Sequence, residues 1–156
     1  MALHPSAESH GPPDLQEPGF RIADYVSTID NGANEVERFR MIVCDLPRRF
    51  HAASRPIQER SLMDPPRLTG TKWDALLAAM AEHLAILHDH EIPVWCDEPE
   101  RFLRIPWVPL GELLPGICAS AYIDTPASFV RHGALVEPSS LDYRGGEHEY
   151  GCLVQG

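Results

Sequence analysis

Apolar side chains through the middle of the chain recur at steps of three and four, the spacing of one helix face, rather than in the alternation of a strand. Phe20, Ile22, Ala23, Tyr25, Val26 and Ile29 predict a short helix, closed by Asp30-Asn31-Gly32, a turn former that also supplies a left-handed stop. Asn34, followed three residues later by Glu37, has the form of a capping box. Val36, Phe39, Ile42, Val43, Leu46 and Phe50 then share one face. Pro47 lies within this run and cannot donate back to Val43, which predicts a kink or an early stop. Ser54, with Pro56 just inside, opens another helix through about Met63, ended by Asp64-Pro65-Pro66.

The clearest pattern runs from Thr71 to His90. Thr71 with Asp74 reads as a cap, and Trp73, Leu76, Leu77, Met80, Leu84 and Leu87 form one stripe. Ala75, Ala78, Ala81 and Ala85 occupy the opposite side, where small residues let neighbouring helices approach, so this helix is expected to be central. Beyond Pro93 the pieces are short. A helical turn opens at Asp97 and runs through Phe102 and Leu103, and a last helix runs from Thr125-Pro126 to Gly133. Ala134-Leu135-Val136 reads as a short strand or an apolar plug. The fold expected is a single all-α domain of about five or six short helices around Trp73–Leu87, covering 19–141. Residues 1–18, with four prolines, and 142–156 are expected to be flexible tails, although Cys152-Leu153-Val154 could dock.

Charge narrows the partners. The 156 residues carry a net charge of −10, and only one lysine is present. Residues 1–70 hold eight Arg against ten acids, and residues 71–156 hold five basic groups against thirteen acids, so the acidity belongs to the second half. Neutralising a phosphate backbone requires clustered Lys and Arg, so direct nucleic-acid binding is not expected. An acidic surface instead steers encounter with a basic protein. No apolar run reaches the ~20 residues of a membrane helix, and the first residues have neither a basic start nor an apolar stretch for export; a cytoplasmic protein is expected.

Candidate chemistry is sparse. Cys44, Cys96, Cys118 and Cys152 form no CxxC pair and are expected to be free thiols, with Cys44 buried as a small hydrophobe. His83, His88, His90 and Cys96 are dense enough to suggest a metal. The five-residue step from His83 to His88 nevertheless sets them about 140° apart on a helix, which is the wrong face for shared ligation. His83 is expected at the edge of the core, and His88, Asp89 and His90 at the helix end. Asp97, Glu98, Glu100 and Glu91 flank Trp95 and Cys96, a pattern that a solvated helix N-terminus explains without acid/base chemistry. No GxSxG, Walker A, Rossmann or HExxH motif occurs, so no catalytic, cofactor or metal residue is assigned.

WDALLAAMAEHLAILH, IPVWCDEPERFL and TPASFVRHGALV together resemble a poorly characterised helical domain of actinobacterial proteins, found alone or after a helix-turn-helix. Trp73, Leu76, Leu77, Glu82, His83, Leu84, Pro93, Trp95, Pro99, Phe102, Leu103, Pro126, Phe129, Arg131 and Gly133 carry the likeness. Two places depart from it. Arg104-Ile105-Pro106-Trp107 stands where relatives show paired aromatics, and Val130-Arg131-His132 stands where they are more basic. The resemblance implies an antitoxin-like partner of a basic nucleotidyltransferase-type toxin, and no catalytic residue. The function expected is therefore a non-enzymatic protein-interaction domain. Its expected surface is Asp97, Glu98 and Glu100 displayed beside Trp95 and Trp107, with Arg131 nearby. The alternative is a small enzyme or metal protein using the His83 to Cys96 region. The oligomeric state is open.

Overall fold

The computed structural model describes residues 19–113, 116 and 118–141. The expected tails at 1–18 and 142–156 lie outside the described residues, as does the Cys152-Leu153-Val154 segment. The described chain is mostly helical, and its only strand-like feature is an isolated parallel bridge between Trp107 and Ala134.

A 3-10 turn, Ile22–Tyr25, leads into α1 (Val26–Asp30), which ends where Gly32 takes a φ of 72°. The Asn34–Glu37 capping box forms in both directions and starts α2 (Glu35–Phe39). Pro47 does not stop the chain. The helix instead widens into a π segment, Arg40–Asp45, and resumes as α3 (Leu46–Ala52). Shifting the turns before the proline to the wider register accommodates a residue that has no N–H for an i→i−4 bond. Ile42, Val43, Leu46 and Phe50 thereby stay on the buried face across the irregularity.

α4 (Arg55–Met63) follows, and then α5 (Trp73–Leu87), the axis of the fold. Every residue from Trp73 to Glu82 is buried, so the alanine side is covered as completely as the leucine stripe. The start of α5 differs from the expected cap. Asp74 is buried and accepts from the Thr69 and Gly70 amides and the Thr69 hydroxyl, while Thr71 meets only Thr69 through its side chain. The carboxylate thus fastens the preceding loop to the first turn, where the helix dipole also favours it. Leu87 departs from the stripe as well and is 54% exposed, because the chain turns away from the core at that point.

Two 3-10 turns, Val94–Asp97 and Pro99–Arg101, replace the single turn expected from Asp97. α6 (Cys118–Asp124) was not visible in the sequence pattern, and its Tyr122 and Ile123 are exposed. α7 (Ala127–His132) packs extensively on α5 and ends at Gly133, whose φ is 76°. The next segment pairs rather than only plugging. The Trp107 amide donates to the Gly133 carbonyl at 2.8 Å, the Leu135 amide donates to the Trp107 carbonyl at 2.8 Å, and Ala134, Leu135 and Val136 are all buried. A final 3-10 turn, Pro138–Leu141, closes the described chain.

Cys96 and Cys118 are free thiols, as expected, but Cys44 is only half-buried and disulfide-bonded, which corrects the reading of it as a buried free thiol. No helix among the described residues is long and apolar enough to cross a membrane.

Candidate functional site

The C-terminus of α5 builds one wall of a groove. The His90 amide donates to the Ala85 carbonyl at 2.8 Å and the Asp89 amide to the Ile86 carbonyl at 3.3 Å, a Schellman closure with Asp89 in the left-handed position at φ 55°. Aspartate is one of the few side chains that accept that conformation. This turn swings His90 back against α4. Arg55, in the first turn of α4, secures it by donating to the His88 carbonyl at 3.2 Å and the Asp89 carbonyl at 2.8 Å. The third nitrogen of Arg55, Nε, lies 3.2 Å from Glu59, so each nitrogen of its guanidinium has a partner.

Trp95 forms the other fastening. Its indole N–H donates to the Leu62 carbonyl at 2.8 Å, tying the 94–97 turn to the last turn of α4. Between these two attachments lies a cavity of about 730 Å³. Leu62, Met63, Pro65, Ile92, Pro93, Val94 and Trp95 supply its apolar surface, and Arg55, Glu59, His90, Glu91 and Glu98 its polar lining. Met63 is 74% exposed and Val94 85% exposed, large apolar side chains presented to solvent at the cavity edge.

At the inner end the hydrogen bonding fixes a tautomer. Gln58 is buried, and its amide nitrogen donates to the carbonyls of Phe50 (2.8 Å) and Ala53 (3.2 Å). The Gln58 oxygen is therefore the atom that faces His90 Nε2 at 2.7 Å, and it can only accept. Nε2 carries the hydrogen, and in neutral His90 the lone pair sits on Nδ1. That atom is buried without a hydrogen-bond partner, on a side chain only 2% exposed, 3.9 Å from Glu59 Oε1. The rings of His88 and His90 both meet the ring of Phe50, and His51 approaches His88. Burial lowers the pKa of His88, and the neighbouring His51 and His90 push it further down.

Asp97 and Arg131, picked out by sequence pattern, assemble elsewhere, around Glu82 of α5. Arg131 Nη1 donates to Glu82 at 2.6 Å, and Arg131 Nη2 donates to Asp97. His132, fully buried, lies with Nε2 2.8 Å from the same Glu82 oxygen and Nδ1 2.7 Å from the Arg101 carbonyl. A carbonyl can only accept, so Nδ1 carries a hydrogen. The second contact then holds one further proton, on Nε2 or on the carboxyl. Arg101 is itself buried: Nε donates to Glu98 at 2.8 Å, Nη2 to the Pro66 carbonyl at 2.5 Å, and its guanidinium lies 4.8 Å from the Trp95 ring centre. Arg101 was not singled out by spacing. Burial of a full positive charge depends on partners distant in sequence, and Pro66 is 35 residues away.

Asp97, Glu98 and Arg131 are therefore engaged in ion pairs, the Arg131–Asp97 pair exposed at the surface and Glu98 on the buried Arg101, whereas Glu100 is exposed and outside these pairs. Trp95 is buried, which corrects its reading as a displayed aromatic anchor: its ring is held between the groove and Arg101. Trp107 is half-buried, edge-on to Trp73 at 5.0 Å, and is likewise a packing residue. Glu82 and Arg131 thus pair with each other across α5 and α7.

His83 packs its ring against Phe129 at the edge of the core, and burial lowers its pKa, with His88 adding to the shift. The Cys96 thiol is pushed up to about 12, first by burial and then by Glu82, so it is a poor nucleophile at neutral pH. Among the described residues no group of three or more His, Cys, Asp or Glu side chains is placed to hold a metal ion. Comparison with protein-family models, with curated proteins and with solved structures finds no match to this chain.

Proposed function

We propose that this chain is a non-enzymatic protein-interaction domain that receives a basic partner in the groove between α4 and residues 90–98, an antitoxin-like role. One observation carries the reading: exposed apolar side chains, Met63 and Val94, border a cavity whose lining acids, Glu59, Glu91 and Glu98, outnumber its single arginine. Arg55 balances Glu59 and the buried Arg101 balances Glu98, so Glu91 is the acid that leaves the lining net negative. An apolar contact ringed by acids fits a partner segment in which an apolar residue is flanked by Lys or Arg. The overall charge of −10 acts in the same direction at longer range.

The test is co-expression with a growth-arresting basic protein captured from the native cells. Wild-type chain restores growth and holds the partner at low salt but not at high salt. Val94→Glu together with Met63→Glu abolishes both effects, while Ile123→Glu on exposed α6 leaves them intact. Rescue by the groove variant, or capture indifferent to salt, overturns the reading.

A further inference from the structure

The inner end of the groove contains an acceptor with nothing to accept. His90 Nδ1 bears a lone pair because Gln58, itself locked by two backbone carbonyls, claims the hydrogen on Nε2. A buried polar atom left unsatisfied is costly, and such atoms are uncommon in folded proteins. Glu59 Oε1 lies 3.9 Å from it, and both residues line the groove. Two acceptors at that separation, one of them ionised, match a cationic group with more than one N–H, which can give one hydrogen to each. Arg55 already lies 3.2 Å from Glu59, and the Arg55 and Glu59 side chains are both more than half exposed. Exposed pairs of this kind contribute little and open readily for a better donor.

We propose that the groove is a binding site for a guanidinium or primary ammonium group carried on an apolar stem, bridging His90 Nδ1 and Glu59, with the stem against Leu62, Ile92 and Trp95. This deepens the interaction reading and rests on it: the cation is an arginine or lysine side chain of the partner. His90 and Glu59 are then the residues that set specificity, and Gln58 is the positioning residue that holds the imidazole in the accepting tautomer.

The test uses small probes on the intact chain, independent of any partner. Hexylguanidinium and hexyltrimethylammonium have the same charge and stem, but only the first carries N–H groups. Calorimetry is expected to show hexylguanidinium binding about tenfold or more tightly, the difference for a hydrogen bond to a charged donor. In the same titration the 15N resonance of His90 Nδ1 moves toward the hydrogen-bonded position with hexylguanidinium only. His90→Phe, which keeps a ring against Phe50, removes the preference. If that variant does not fold, the wild-type nitrogen shift still decides. Equal affinity for the two probes, or an unmoved Nδ1 resonance, overturns the proposal. Failure here with intact partner capture refutes only the cation site, whereas probe binding without capture refutes the partner reading.

Discussion

Replacing Glu82 with leucine removes the acceptor shared by Arg131 and His132, and the two are not equally harmed. Arg131 is 44% exposed at its side chain and keeps Asp97, so it turns toward water with modest loss. His132 is fully buried and has no such escape: its Nε2 is left facing a leucine. Breaking one side of a buried pair costs about 3–5 kcal/mol, and because half of this triad remains solvated the expected loss is near the lower end, about 3 kcal/mol. His132→Phe keeps the stacking on Phe102, whose ring centre lies 4.4 Å away, but strands the Arg101 carbonyl and one Glu82 contact, at about 2–3 kcal/mol. Combining the two removes the mismatch that each creates alone. The double variant is therefore expected to fall at least about 1.5 kcal/mol short of the summed single losses. Urea denaturation of the four proteins measures this, provided the m-value is unchanged. Additivity within about 0.5 kcal/mol, or a Glu82→Leu loss below about 1 kcal/mol, refutes the argument that this ionic centre is a coupled, buried unit.

Other outcomes follow from packing and backbone geometry. Leu77→Ala, at a fully buried position of α5, is expected to cost about 2–5 kcal/mol, whereas Leu87→Ala on the same predicted stripe is expected to cost less than about 0.5 kcal/mol; chemical denaturation compares them. Gly133→Ala destabilises more than Gly32→Ala in thermal melts: both adopt positive φ, worth about 1–2 kcal/mol against a side chain, but only at Gly133 does the added Cβ stand 2.9 Å from a backbone oxygen, that of Leu103. The lowered pKa values of His83 and His88 mean that the unfolded chain binds protons which the folded chain refuses. Stability is therefore fully present above the unfolded value of 6.5 and declines as pH falls from there toward the lowered folded values. His83→Phe flattens that decline, which urea midpoints between neutral and mildly acidic pH detect.

Local signals determined the helical skeleton. Asn34 and Glu37 are close enough in sequence to satisfy each other, Gly32 and Gly133 stop helices through their own conformational freedom, and the Ala-Leu pattern of Trp73–Leu87 marks a helix covered on both sides. Each depends on residues within a few positions, which is where sequence pattern is informative. Pro47 announced an irregularity, but whether the chain would stop, bend or widen depended on keeping Ile42 through Phe50 against α5, a tertiary constraint. The pairing of charge was decided only by the fold. Asp97 stays exposed, as a solvated surface would have it, but its pairing with Arg131, and the pairing of Arg131 with Glu82 49 residues away, depend on the fold, as does the contact of Glu98 with the buried Arg101. Trp95 reads equally well as anchor or core until its indole N–H is seen to reach Leu62, 33 residues earlier. The groove is of the same kind: Gln58 and His90 are 32 residues apart, and a lone pair left on Nδ1 exists only because two carbonyls orient the amide between them. Hydrogen-bond direction and burial are properties of three-dimensional neighbours, and no one-dimensional spacing encodes them.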